Sequence, residues 1–316
     1  MKIKLIVLGI LATGLTANAQ VTGVEKDLKE KPKVEGEGWN TGGMFGINFS
    51  QTSLTNWASG GQNTIATNGI LNLYADFKKG KIAWDNNLDL AYGIVRQGGK
   101  NALWQKSDDR IDLVSKFGYD LKKNVYFAAL YQFRTQFAPG YSDPAQTTLI
   151  SNFLAPAYSV FAIGIDYRPN NVWTAFAAPL TLKTTIVADQ NLANAGAYGV
   201  TGAEYDDLGN LVTKGKTIRN EFGGYLRFKY QKDIITNVNL QTKVDLFSNY
   251  LHNPQNIDVN WQVLLAMKVN KYITATLSTH LIYDDDIDIA VDTNNDGVTD
   301  KTGPRTQFKE VFGVGF

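Results

Sequence analysis

The chain has 316 residues, with 31 basic and 30 acidic side chains, a formal net charge of +1 and no cysteine. That balance leaves no electrostatic footprint for a nucleic-acid partner. The missing thiols exclude a disulfide framework, thiol chemistry and a lipidated N-terminal cysteine.

Residues 1–19 have the layout of a secretory signal peptide. Lys2 and Lys4 precede a mostly apolar run over 3–15, and Ala17-Asn18-Ala19 places cleavage after Ala19. The run is too short to cross a bilayer as a helix. Losing Lys2 and Lys4 leaves 29 basic residues against 30 acidic ones, a mature net charge of −1. Residues 20–40 are polar, carry charges of both signs and read as a periplasmic lead-in with no core of its own.

From 41 to 316 one unit repeats, seen most cleanly over 82–94. Ile82, Trp84, Leu88, Leu90, Tyr92 and Ile94 share one face, and Ala83, Asp85, Asn87, Asp89, Ala91 and Gly93 share the other. Period-2 alternation of this length predicts a β-strand long enough to cross a membrane when tilted. Twelve such strands are predicted, near 43–51, 64–77, 82–94, 109–121, 125–137, 157–168, 172–188, 217–230, 235–247, 257–269, 272–283 and 305–316. In the seventh, Trp173 is out of phase with Leu180, Leu182 and Ile186, and a bulge near Pro179 would restore the phase. Short turns are expected near 78–80, 122–124, 169–171, 231–233 and 270–271, and long links between the other pairs. The expected fold is therefore all-β: a transmembrane antiparallel up-and-down β-barrel of about twelve strands, with both ends in the periplasm. Phe77, Trp84, Tyr119, Phe127, Tyr167 and Tyr230 share the apolar parity near the short turns and predict one aromatic girdle. The competing fold is a soluble β-sandwich or barrel with its apolar faces turned into a core.

Three stretches carry a family resemblance. They are Asn56-Trp57-Ala58-Ser59-Gly60-Gly61, Phe153-Leu154-Ala155-Pro156-Ala157-Tyr158, and Gly303-Pro304-Arg305-Thr306-Gln307-Phe308-Lys309-Glu310 leading into Gly313-Val314-Gly315-Phe316. Together they resemble an uncharacterised family of Bacteroidota outer-membrane β-barrel proteins, domain of unknown function 3078. The resemblance implies a barrel in the outer membrane of a Gram-negative cell and no established reaction. The terminal Phe316 resembles the last-residue aromatic by which barrel-assembly machinery recognises its clients, although Glu310 interrupts the alternation before it.

The inward parity is rich in charge. Asp85, Asp89, Arg110, Asp112, Lys116, Arg134, Asp166, Arg168, Glu221, Arg227, Lys243 and Asp245 are the candidate lumen-lining residues, and Lys229 shares their parity. Twelve strands fall between bores filled by side chains and open channels. Mixed signs argue against strong ion selectivity. The sharpest local motif is Asp292, Asn294, Asp296, Val298 and Asp300, whose oxygens alternate as in a calcium loop, with Gly297 for the turn. No bidentate glutamate stands at the twelfth position, and a solvated turn is the competing reading. No cofactor is expected otherwise. His252 and His280 are the only histidines. Ser278 and His280 share a strand face but not the order or the lipid-facing placement of an outer-membrane phospholipase, so no enzyme is expected. The expected function is a pore or transport protein passing or binding small polar solutes, with outer-membrane lipid and the assembly machinery as partners. The alternatives are a non-conducting barrel whose outer loops bind a surface partner or glycan and, last, a lipid hydrolase.

Overall fold

A computed structural model describes residues 36–55, 58, 61–99, 101–270, 273–291 and 300–315. The proposed signal peptide lies outside these residues, as do the lead-in up to residue 35, Phe316 and the motif residues Asp292, Asn294, Asp296 and Val298.

The strands are β1 (Gly38–Thr52), β2 (Thr64–Lys79), β3 (Ile82–Gln97), β4 (Gln105–Lys122), β5 (Val125–Thr135), β6 (Gly140–Tyr141), β7 (Leu149–Ser151), β8 (Ala157–Tyr167) and β9 (Trp173–Ile186). A five-residue helix, α1 (Gln190–Asn194), follows. Then come β10 (Glu204–Tyr205), β11 (Leu211–Thr213), β12 (Ile218–Ile235), β13 (Val238–Asn249), β14 (Ile257–Lys268), β15 (Thr274–Tyr283), β16 (Asp288–Val291), β17 (Lys301–Pro304) and β18 (Gln307–Gly315). Twelve of them form one antiparallel up-and-down sheet in the order β1-β2-β3-β4-β5-β8-β9-β12-β13-β14-β15-β18. The six short strands pair as ribbons within the long links. The twelve predicted strands are these twelve, and the links alternate short and long as the sequence implies. Among the described residues no pairing joins β1 to β18.

The start of the barrel differs from the expectation. β1 begins at Gly38, inside the proposed lead-in, and the Glu37 carboxylate accepts a hydrogen bond from the Gly80 amide in the first tight turn at 2.8 Å. Gly80 has φ +52° there, a conformation that a Cβ disfavours. The turn expected at 231–233 lies further on, at 236–237. Gln231, Lys232 and Asp233 stay paired with Gln241, Leu240 and Asn239, and Asn237 takes the left-handed conformation at φ +66°. Three polar residues in a row imitated a turn but merely continue the pleat at the rim of the sheet.

The bulge near Pro179 is present. Ile163 pairs with Leu180 and Ile165 with Ala177, so three steps of β9 match two of β8; the pairing with β12 shifts at the same place. The extra residue inverts the parity of β9. Trp173 therefore joins the outer face and packs between Tyr167 (ring centroids 5.5 Å apart) and Phe228 (6.0 Å), while Phe176 turns inward. A Cβ on Gly164, opposite the bulge, would overlap the Ala177 carbonyl, so the sheet bends here only because that position is empty.

The outer face is apolar and open. Phe127, Phe161, Leu182, Phe222, Leu226 and Trp261 are each at least about two-fifths exposed, far more apolar surface in one band than a soluble monomer leaves uncovered. Among the described residues no second layer packs on this face. At its short-turn end Trp39 packs on Phe77 (5.1 Å) and Trp84 (5.8 Å), and Lys81 lies over the Tyr119 ring (5.9 Å). With Tyr167, Trp173 and Phe228 these rings form an aromatic band, to which Trp39, Trp173 and Phe228 are additions beyond the predicted set.

Candidate functional site

The inward face divides into two halves. From β5 to β13 it is packed. Ala128 and Leu130 on β5, Ala162 on β8, Phe176 and Ala178 on β9, Tyr225 on β12 and Phe247 on β13 form one buried apolar cluster. Phe176 and Tyr225 meet edge to face at 6.2 Å. The alternation had implied a wholly polar lumen, and this cluster corrects it. The signal was visible in the runs Val125–Tyr131 (VYFAALY) and Thr174–Ala178 (TAFAA), where apolar residues occupy both parities, as strands buried on two faces require.

Ion-pair networks tie down the charges around that cluster. On one side Asp166, 1% exposed, receives Lys116 (2.8 Å) and Arg168 (2.6 Å), and Arg168 reaches on to Asp85 (3.2 Å). In the middle Arg227 grips both oxygens of Asp245, its register partner, at 2.6 and 3.0 Å, and donates to Gln132 on β5, across the two intervening strands. Gln132 and Arg134 in turn hold Asp112. Toward the long-loop end Lys183 donates to Asp258 (2.6 Å) and Asp284 (3.2 Å) and lies 3.4 Å from Glu221. Arg219 bridges Glu221 (2.9 Å) and Asp286 (3.3 Å). A buried charge is tolerated only with such partners. Sequence reasoning placed Glu221 here but omitted Lys183, whose strand carries the bulge, and Arg219, which shares the parity of Glu221 on β12, and missed Asp284 and Asp286, because they sit in a long link.

The other half, β1 to β4 with β12 to β15 and β18 and the neighbouring side of β5, borders a cavity of about 1840 Å³. Its lining runs from Asn171 and Asp233 beside the short turns to Gln136 and Pro156 beside the long links, so it follows the full height of the sheet. Of the twelve candidate residues, Asp85, Asp89, Arg110, Asp112, Lys116, Arg134, Arg227 and Lys243 line it, while Asp166, Arg168, Glu221 and Asp245 lie in the networks beside it. The signs are not evenly mixed around the wall. β3 and β4 supply every lining carboxylate except Asp233 at the rim, together with Arg110 and Lys116. The charged liners of β12, β13 and β18 are otherwise all cations: Arg227, Lys229, Lys232, Lys243 and Lys309. The carboxylates of the acidic side are held by near neighbours. Asn72 and Asn87 hold Asp89, Asn68 holds Asp108, and Arg134 holds Asp112. Ser278 and His280 also line the cavity; the His280 ring nitrogen lies 3.0 Å from the Asn260 side-chain oxygen.

Above the packed half the long links build a small cap. Ala155, Val187, Leu192, Ala193 and Val200 are buried together. Asp189 caps α1, accepting from the Asn191 and Leu192 amides at 3.0 and 3.2 Å and from the Asn152 side chain. Burial pushes its carboxyl up, but those three donors outweigh it and hold the pKa below the ordinary range. Asp300, the described member of the calcium-like motif, precedes β17 at the rim. Among the described residues no cluster of three or more metal-ligating side chains occurs.

Residues 49–141 match the model of an uncharacterised family, "Protein of unknown function (DUF3078)". The stretch contains β2 to β5, the acidic side of the cavity. No curated protein matches the chain. Among solved structures, it is similar to the translocator domain of autotransporter NalP from Neisseria meningitidis at 11% identity, over 94% of this chain and 93% of that one, with a TM-score of 0.33. The FrpB iron transporter of the same organism aligns at 12% identity over 78% of this chain and 37% of its own, TM-score 0.30. The ferric-catecholate import receptor Fiu from K12 E. coli aligns at 11% over 88% of this chain and 51% of its own, TM-score 0.28.

Proposed function

We propose that the chain is an outer-membrane β-barrel that passes small polar solutes through one side of its lumen. The observation that carries this reading is the cavity itself, which follows the sheet from the short-turn end to the long-loop end and is lined by charges, amides and hydroxyls. A solute leaving water for such a bore exchanges hydration for these groups at little cost. The apolar band and aromatic rings support lipid as the outer partner. Export through the signal peptide, cleavage after Ala19 and insertion by the assembly machinery complete the route to the outer membrane. The role is passage, not catalysis, and a cation in the 292–300 loop would order that loop.

Conductance of the purified, folded full chain in planar bilayers tests the reading. Stable, ohmic single-channel steps are expected. A folded barrel that stays silent would replace it with the second reading, a closed barrel whose outer links bind a surface partner. That reading has its own support in the capped apolar core over 149–200 and in the Lys183–Arg219 network that pins the 284–287 link to the wall.

A further inference from the structure

The charge ladder between β12 and β13 contains a mismatch. Arg227 stands opposite Asp245 in register and grips it; one rung on, Lys229 stands opposite Lys243, with both side chains lining the cavity. Directly opposed like charges on one sheet face destabilise the pairing. Nothing nearby relieves the repulsion. Among the described residues Lys229 makes no hydrogen bond or ion pair. Lys243 reaches only Asp245, at 4.0 Å, and that carboxylate already has both oxygens committed to Arg227. On its other side Lys229 faces Thr174 of β9, and the next rung is Gln231 opposite Gln241, so no further acid flanks the pair. Each of the other inward lysines near the packed half has a carboxylate within 3.0 Å: Lys116 has Asp166 and Lys183 has Asp258. Lys309 on β18 also lines the cavity, but Lys229 and Lys243 are the pair that shares a single rung and looks into the open half.

We propose that Lys229 and Lys243 form an anion-binding station in the lumen, taking a small solute that carries a doubly charged oxyanion, a phosphate or a dicarboxylate. Two ammonium groups on adjacent strands converge on one multi-oxygen anion, which replaces their repulsion with two charge-assisted contacts. Arg227 extends the positive field along the wall, and the lining carboxylates are gathered on β3 and β4, where Arg168 pairs with Asp85 and Arg134 with Asp112. Gln231 and Gln241 on the following rung offer neutral donors to the rest of such a solute.

This inference rests on the reading of the cavity as open to solutes, but it is tested by binding, independently of conductance. Calorimetry would follow inorganic phosphate, and separately succinate, binding to the detergent-solubilised full chain at neutral pH. Saturable binding of one or both, weakened by added chloride and by about tenfold or more in Lys229→Gln and Lys243→Gln, is expected. The Lys229→Glu variant gives an opposing signature: with an acid facing Lys243 its melting temperature should rise while phosphate binding disappears. Absence of binding to the wild-type chain, or binding unchanged in both glutamine variants, overturns the station. A barrel that conducts but shows either result keeps the pore and loses the station. A silent barrel that binds phosphate through these lysines does the reverse.

Discussion

The two halves of the inward face are made from one sheet and one alternating pattern, yet one is solid and the other is open. In the packed half the inward positions between the ion pairs are largely small residues and the rings that fill the space left by them: Ala128, Ala162, Gly164 and Ala178 stand with Leu130 around Phe176, Tyr225 and Phe247. The β9 bulge and Gly164 bend the sheet there, so opposing walls come within side-chain reach, as the Arg227–Gln132 and Lys183–Asp258 contacts across intervening strands demonstrate. In the open half most inward residues of β2 and β3 are hydrogen-bonded to near neighbours, Asn72 to Asn87 and Asp89 for example, with the Arg168–Asp85 ion pair reaching them from the packed side. Curvature decides which charges find a partner across the bore and which are left facing water.

Substitutions on the two sides should therefore behave differently. The largest effect is expected for Phe176→Ala, which empties the centre of the apolar cluster and should cost about 3–5 kcal/mol in urea unfolding of the folded barrel. A comparable loss there from Asn87→Ala, in the open half, would erase the distinction. Next is Arg227→Met, which strands the nearly buried Asp245 and should cost about 3 kcal/mol or more, against less than about 0.5 kcal/mol for Asp89→Asn on the cavity wall. Lys183→Met should act locally: it removes the shared cation of Glu221, Asp258 and Asp284, and faster hydrogen exchange should appear over 284–287 while β2 and β3 keep their protection. Among the changes expected to destabilise, the smallest effect belongs to the cap. Asp189→Ala should cost α1 about 0.5–2 kcal/mol. Because hydrogen bonding lowers the Asp189 pKa in the folded chain, its contribution is complete above the ordinary carboxylate range and fades as pH falls through the lowered value. Exchange protection at Leu192 should follow that curve in the wild type and not in the variant.

The strand plan was legible in the sequence because alternation and turn residues are local. All twelve strands are present in the expected order, with an earlier start to β1 and a longer β12, and the parity of Phe127, Phe161 and Phe222 told which face is apolar. The bulge at Pro179 could be inferred because Trp173 broke the phase. What escaped was everything that depends on distance across the sheet. Lys183 pairs with Asp258 75 positions away and with Asp284 101 positions away, and no local period encodes those meetings. The candidate list recorded which charges turn inward. It did not separate Lys243, on the cavity wall, from Asp166, which is buried, since both have the same parity. Lys229 differs from Lys116 only in what the curled sheet brings opposite it.

The late turn at Thr236-Asn237 has a practical consequence. The ladder of β12 with β9 ends at Tyr230 opposite Trp173, with one further bond from the Gln231 amide to the Val172 carbonyl, and β12 then runs on to Ile235 alongside β13 alone. Four residues, roughly 13 Å of strand, thus stand proud of the neighbouring ribbon, with Ile234 and Ile235 uncovered at the tip. A short epitope inserted between Thr236 and Asn237 would sit clear of the wall on a protruding finger. Its reactivity toward antibody in intact and in permeabilised cells would then report which compartment the short-turn end faces.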